Sequence, residues 1–251
     1  MIRWRIHLAV AMICALPGAA FAQSSDRTTS EAAQPEPAAP LFYYAGAAGR
    51  LTTDRDAQGG NPFASALVEV LKAETLTLSS FGMKLAAANA KFSNGWQQTQ
   101  LPKALAEPQM RLGGEADGKR VALVLINADY SRSDGVYSLP GARFDAQRVP
   151  EALRAAGFET TVVLDANAAE AREAMAAFGV RSRTADASVV YVGGHGVQHK
   201  RVVYWMMGDY PGKTAAWLSS HAISLDEVGK AGQARRANLV LYASCRDDPF
   251  R

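Results

Sequence analysis

Three short runs, residues 120–126, 188–192 and 238–243, are apolar and rich in Val, Leu and Ile. Each is too short for a core helix and too uniformly apolar for a strand with one face in water. Between them lie stretches with helical spacing, residues 141–156, 168–183 and 224–231, and a further strand-like run, 158–164. Strands that alternate with helices predict an α/β fold, with a mainly parallel sheet covered by helices on both faces. Pro150 falls inside the first of these helices and predicts a kink unless the helix begins there. Ser224 and Glu227 have the spacing of a capping box. Residues 197–222, with Trp and Gly among them, read as a loop.

Two of the apolar runs end in chemistry. Residues 188–192 lead into Gly193-Gly194-His195-Gly196, and residues 238–243 lead into Ser244-Cys245. Neighbouring parallel strands would bring His195 and Cys245 to the carboxyl edge of the sheet, where open α/β sheets place their sites. A thiol needs a base to react near neutral pH, and imidazole titrates in that range. Cys245 is therefore expected to be an accessible thiol activated by His195. Taken singly, Cys245 also fits a buried strand-end cysteine, and His195 a polar cap. His199 and His221 are expected to be solvated in the loop. No compact ligand spacing joins His195, His199 and Cys245, so neither a metal nor another cofactor is expected.

The chain opens like an export signal: Arg3 and Arg5, a short apolar stretch broken by Pro17-Gly18, then Ala20-Phe21-Ala22. The apolar stretch is too short for a membrane span. A signal over residues 1–22 predicts a secreted or periplasmic protein with no stable membrane anchor after cleavage. Cys14 would leave with it, so the mature chain would have Cys245 as its single thiol in an oxidising compartment. The formal charge of +3 falls to about +1 without Arg3 and Arg5, which argues against a nucleic-acid partner. Residues 23–40, mostly Ser, Thr, Glu, Ala and Pro, read as a disordered tether.

Foldable sequence begins at Leu41. Residues 41–45 read as a strand, 46–61 as a Gly- and Asp-rich loop, and Pro62 as the opening of a helix carrying Phe63, Leu67, Val70 and Leu71. A second helix is predicted over 76–91, a turn at Asn94-Gly95 and a short strand over 96–100. Residues 102–119, with several Gly and Pro, read as an exposed connector to the second part, 120–251.

Five blocks in that second part follow one another as in bacterial caspase-like (C14-type, metacaspase-related) domains. They are Arg120-Val-Ala-Leu-Val-Leu-Ile-Asn127, Leu139-Pro-Gly-Ala-Arg-Phe-Asp-Ala146, Leu153-Arg-Ala-Ala-Gly-Phe158, Tyr191-Val-Gly-Gly-His-Gly196 and Cys245-Arg-Asp-Asp-Pro-Phe250. The spacing of about fifty residues from His to Cys is a known mark of that family, not a deduction from this chain. The resemblance implies a three-layer α/β/α sandwich and a cysteine endopeptidase acting on a peptide or protein substrate. It implies Cys245 as nucleophile and His195 as general base and later acid, with the N–H groups of Gly196 and Cys245 holding the oxyanion. A peptide-binding module that no longer cuts is the alternative.

The family continues after the cysteine into a small subunit, and here residues 41–63, ending in Gly-Gly-Asn61-Pro62-Phe63, look like that piece placed first. The resemblance thus implies a circular permutation, with 41–101 as the small-subunit-like part. An unrelated first half in a truncated gene is the rival. One departure concerns specificity. Relatives have Asp two residues before the cysteine, as part of a pocket for a basic P1 side chain; this chain has Ala243. Asp145 is the remaining acid, unless it merely complements a helix N-terminus, and Arg143 could instead favour an acidic P1. Weak or altered preference for Arg is expected.

Overall fold

The computed structural model describes residues 36–114 and 118–250. The predicted signal, most of the tether and Arg251 lie outside the described residues. The element order is β1 (Pro40–Tyr44), α1 (Pro62–Val70), α2 (Leu78–Phe92), β2 (Arg120–Ile126), α3 (Pro140–Ala155), β3 (Glu159–Leu164), α4 (Ala168–Ser182) and β4 (Ala187–Gly193). There follow β5 (Gly196–His199), β6 (Val202–Met206), a 3-10 turn (Ala215–Trp217), α5 (Leu218–His221), β7 (Ala222–Ser224), α6 (Leu225–Gly229) and β8 (Ala237–Tyr242).

The main sheet has the order β1-β8-β4-β2-β3, and every neighbouring pair is parallel. Alternation along the strands sends side chains to two cores. Ala122, Val124, Ile126, Val189, Tyr191, Leu239 and Leu241 pack with α1, α2 and α3 on one face. Val121, Leu123, Leu125, Val190, Val192, Val240 and Tyr242 pack with α4 and α6 on the other. This is the α/β sandwich that the alternating runs predict.

The first strand lies against the last. Leu41 stands opposite Leu239 and Tyr44 opposite Tyr242, although almost the whole chain separates them. Tyr43 is fully buried and meets the Phe81 ring of α2 edge-on, with 5.3 Å between centroids. The end of the predicted tether is not free either. Ala38 donates its N–H to the Ala234 carbonyl and accepts from Asn238 Nδ2.

Four local expectations are corrected. The predicted strand over 96–100 reduces to one antiparallel bridge between Tyr44 and Gln100. The connector is not wholly exposed: Met110 and Leu112 sit in the core beside α1 and α2. The loop over 197–222 contains the antiparallel sheet β5-β6-β7, whose hairpin turn is made by Lys200 and Arg201, both at positive φ. Tight hairpins usually mark that conformation with Asn or Gly, so the turn carries no signal in the sequence. Ser224 caps α6 by accepting from the Glu227 N–H, but the Glu227 carboxylate pairs with Arg172 rather than closing a box. The helix α3 begins at Pro140 and continues through Pro150.

If the part before the connector belongs to the same cooperative unit, Tyr43→Ala should destabilise the whole protein. Loss of a buried aromatic costs about 3–5 kcal/mol. Denaturant unfolding followed by far-UV and near-UV circular dichroism should show one transition shifted to lower denaturant.

Candidate active site

The carboxyl ends of β1, β2, β4 and β8 converge on a cavity of about 410 Å³. Its walls include Thr52, Asp54, Asn61, Tyr137, Leu139, Asp145, Tyr191, His195, Ala243 and Cys245. Of the residues singled out in the sequence, His195, Cys245, Asp145 and Ala243 all line it, and Gly196 follows His195 directly. Arg143 does not; it pairs with Asp165 at 2.6 Å. His199 and His221 lie outside it. His199 is not solvated as expected but half-buried on β5, with Nδ1 3.2 Å from both Asp248 oxygens. His221 Nδ1 lies 2.9 Å from the Ser220 hydroxyl.

His195 is held by backbone and aromatic contacts. Its Nε2 is 2.8 Å from the Tyr137 carbonyl. A carbonyl only accepts, so Nε2 carries the proton and Nδ1 is the basic nitrogen of the neutral ring. The His195 N–H donates to the Tyr130 hydroxyl at 2.8 Å, and that hydroxyl donates to the Met206 carbonyl at 3.0 Å. The Tyr130 ring meets the imidazole edge-on at 4.6 Å. Gly194, at φ 134°, leaves no room for a side chain: a Cβ there would lie 2.7 Å from the Asn127 carbonyl and 2.8 Å from the Tyr130 hydroxyl.

The register orients the next amide. Met206 N–H bonds the His195 carbonyl, so those two residues form a hydrogen-bonded pair and Gly196, one step on, points its N–H away from β6. Gln198, two further on, points the same way and bonds the Asp247 carbonyl at 2.8 Å. The Gly196 N–H thus faces the segment that carries Cys245. A Cβ on Gly196 would run into the Tyr242 hydroxyl.

Cys245 is not paired with His195 in this arrangement. Among the described residues no hydrogen bond joins them; the thiol meets Thr52 instead. Sγ accepts from the Thr52 N–H at 3.3 Å, lies 3.5 Å from the Thr52 hydroxyl and donates to the Thr52 carbonyl at 3.7 Å. Burial pushes the thiol up from its ordinary range, with the Thr52 hydrogen bonds pulling it down and Asp247 adding to the rise. Burial also holds His195 below the usual imidazole range, against the Tyr137 hydrogen bond and the Asp54 and Asp247 carboxylates. The resting pair is therefore neutral thiol and neutral imidazole. These directions favour the uncharged forms over the thiol preactivated by His195 that the sequence predicts.

Asp145 is spent on structure. Its carboxylate is 2% exposed, bonds Arg148 Nε at 2.8 Å and accepts from the Asn61 N–H at 3.0 Å. Burial pushes it up to about 7, with Arg148 and the Asn61 N–H opposing the rise. Gly60 sits so close to this pair that a Cβ would strike it. Asn61 does more than cap α1. Its Nδ2 joins the Thr53 and Ala243 carbonyls, at 2.8 and 3.2 Å, and so ties the loop after β1 to the end of β8. Asp54 caps α3, accepting from the Gly141 and Ala142 N–H groups at 2.9 and 3.0 Å. The buried Tyr191 hydroxyl faces the cavity and has no hydrogen-bond partner among the described residues. Thr52, Asp54, Tyr130, Tyr137 and Tyr191 carry no signal that separates them from surface or core residues. Asn61 had one, the Asn-Pro-Phe that resembles the small subunit.

Gly194→Ala tests how tightly the histidine is placed. The substitution adds strain of about 1–3 kcal/mol and pushes on both Asn127 and Tyr130. A lowered melting temperature is expected, together with loss of the Tyr130–His195 hydrogen bond in a structure of the variant.

No curated protein sequence matches the chain. Residues 119–250, just over half of it, match the model of the caspase domain. That stretch holds β2 to β8 and both His195 and Cys245, and the chain belongs to the caspase-domain family of peptidase C14.

Proposed function

We propose that the protein is a cysteine endopeptidase in which Cys245 attacks a peptide carbonyl while His195 takes its proton. The observation that carries this reading is the shared cavity: an imidazole with its Nδ1 unprotonated and a thiol, on adjacent parallel strands of a caspase-type sheet. The thiol proton passes to Nδ1 as the C–S bond forms. The Gly196 and Cys245 N–H groups receive the oxyanion, the C–N bond breaks as the imidazolium gives its proton to the leaving amine, and water deprotonated by His195 then cleaves the thioester and restores the thiol. The Tyr137 carbonyl keeps the ring in the required tautomer throughout. We further read residues 41–101 as the small-subunit part in permuted order, supported by the pairing of β1 with β8. In that reading β1 and β8 are already neighbours in the uncut chain, which is expected to be active without cleavage between them. Residues 1–22 are read as an export signal. Among the described residues, no helix is long and apolar enough to cross a membrane.

A second reading, a peptide-binding module that does not cut, is favoured by the thiol's contacts with Thr52 in place of His195. Turnover separates the two. With uncut mature chain and a peptide library, His195→Ala should lower kcat/KM by about 10²–10⁴-fold, the usual contribution of a general base, and Cys245→Ala should abolish cleavage. The acid limb of kcat/KM should lie below the ordinary imidazole value of about 6.5, because burial lowers His195 and protonation removes the base. Peptide binding without turnover in the parent would select the second reading, and activity only after cleavage between 102 and 119 would refute the permuted reading.

Specificity follows from the cavity's charges. Asp145 is bound to Arg148, Asp54 to the start of α3, and Ala243 has no charge. A preference for Arg or Lys at P1 of no more than about fivefold is expected, the range of a partly screened ion pair. P1-varied substrates measure it, and a preference of a hundredfold would mean that one of these carboxylates turns to the substrate.

A further inference from the structure

We propose that Thr52 stabilises the thiolate of Cys245, through its N–H and its hydroxyl, as a catalytic residue supplied by the loop between β1 and α1. The assignment goes beyond the Cys245–His195 pair, and its meaning for catalysis rests on the endopeptidase reading. The hydrogen bond itself concerns only the thiol.

Three distances carry it. The Thr52 N–H, hydroxyl and carbonyl lie 3.3, 3.5 and 3.7 Å from Sγ, and the two residues are 193 positions apart in sequence. Among the described residues, Thr52 is the one other residue hydrogen-bonded to Sγ, beside the backbone N–H of Cys245 itself. His195 has its Nε2 committed to Tyr137, and no lysine or arginine is hydrogen-bonded to the sulfur. A thiolate in this half-buried place therefore finds its donors on Thr52 and on its own backbone N–H.

The hydroxyl has two stations. In the thiol state it donates to the Ala243 carbonyl at 3.4 Å, while S–H donates to the Thr52 carbonyl. On ionisation the proton leaves Sγ for His195 Nδ1 or solvent, the S–H donor is gone, and the hydroxyl can turn its hydrogen to the sulfur. The carbonyl it leaves stays satisfied, because Asn61 Nδ2 donates to the same oxygen at 3.2 Å. The N–H needs no movement, since it already points at Sγ. Burial and Asp247 oppose the thiolate; the Thr52 hydrogen bonds favour it most, with a smaller contribution from the backbone N–H of Cys245.

The experiment follows alkylation of Cys245 by iodoacetamide against pH in the folded mature chain and in Thr52→Val and Thr52→Ser variants. Valine keeps the shape and the N–H and removes the hydroxyl; serine restores the hydroxyl. Thr52→Val should titrate at higher pH and react about fivefold or more slowly at pH 7.5, as expected for a lost hydrogen bond to a charged group, with Thr52→Ser near the parent. A valine variant that titrates where the parent does overturns the role of the hydroxyl. For the N–H, and should the valine variant not fold, the parent alone decides. The Thr52 amide proton should shift with the thiol titration by NMR and stay still in Cys245→Ser; an amide that does not respond overturns the assignment. If these shifts occur in a protein that cleaves no peptide, the Thr52 assignment stands and the endopeptidase reading falls.

Discussion

The parallel ladder between β1 and β8 is the contact on which the site depends. It joins the first described strand to the last through backbone hydrogen bonds, with side chains from both strands entering the same two cores. The loop that leaves β1 is thereby carried past the carboxyl end of β8. Thr52 reaches Cys245, Asn61 reaches the Ala243 carbonyl, and Asp54 reaches the start of α3. Three separate parts of the cavity wall thus derive from a segment that the caspase-domain match does not include. Closing so long a loop has an entropic cost that grows slowly with length, and a buried strand pairing is the kind of contact that offsets it.

Burial sets the protonation state of the site. Cys245 and His195 are both shifted toward their uncharged forms, in opposite directions on the pH scale. A preformed ion pair would need charge separation where water is scarce, and among the described residues no lysine or arginine is hydrogen-bonded to the sulfur to support it. In the proposed reaction, hydrogen bonds aimed at the charges that form during attack would replace that ion pair.

The sequence made the main sheet legible because uniformly apolar runs such as residues 120–126 can only be buried strands, and the runs between them are helical. It made His195 and Cys245 legible because each ends such a run. Less visible was anything fixed by a contact between distant residues. Asp145 reads from the sequence either as an acid of the pocket or as a carboxylate near a helix N-terminus, and neither reading contains its partners, Arg148 one helical turn away and the Asn61 N–H. The hairpin of β5 and β6 has no mark in the sequence because Lys200 and Arg201 occupy backbone positions usually taken by Asn or Gly. Thr52 looks like any polar loop residue until β1 is placed beside β8. The Tyr137 contribution to the histidine is a carbonyl, which every residue has, so no side chain could announce it.

The Tyr130 hydroxyl has a mechanical meaning. It stands between the His195 N–H and the Met206 carbonyl, two groups that an ordinary antiparallel hairpin would bond directly. One rung of that ladder is therefore a side chain reaching over from the loop after β2. The other rung of the same pair, from the Met206 N–H to the His195 carbonyl, stays direct at 3.0 Å, so the inserted oxygen takes the place of one bond at the mouth of the hairpin. A phenyl ring without the oxygen would fill the same space, yet the two backbone groups would lose their common partner. They would then have to close on each other, drawing the histidine back toward the sheet, or stay apart, with the Met206 carbonyl left to Asn127 Nδ2 and the His195 N–H without that partner. A phenol oxygen from the loop after β2, a segment that carries neither His195 nor Cys245, thus sets how far the imidazole stands from the sheet.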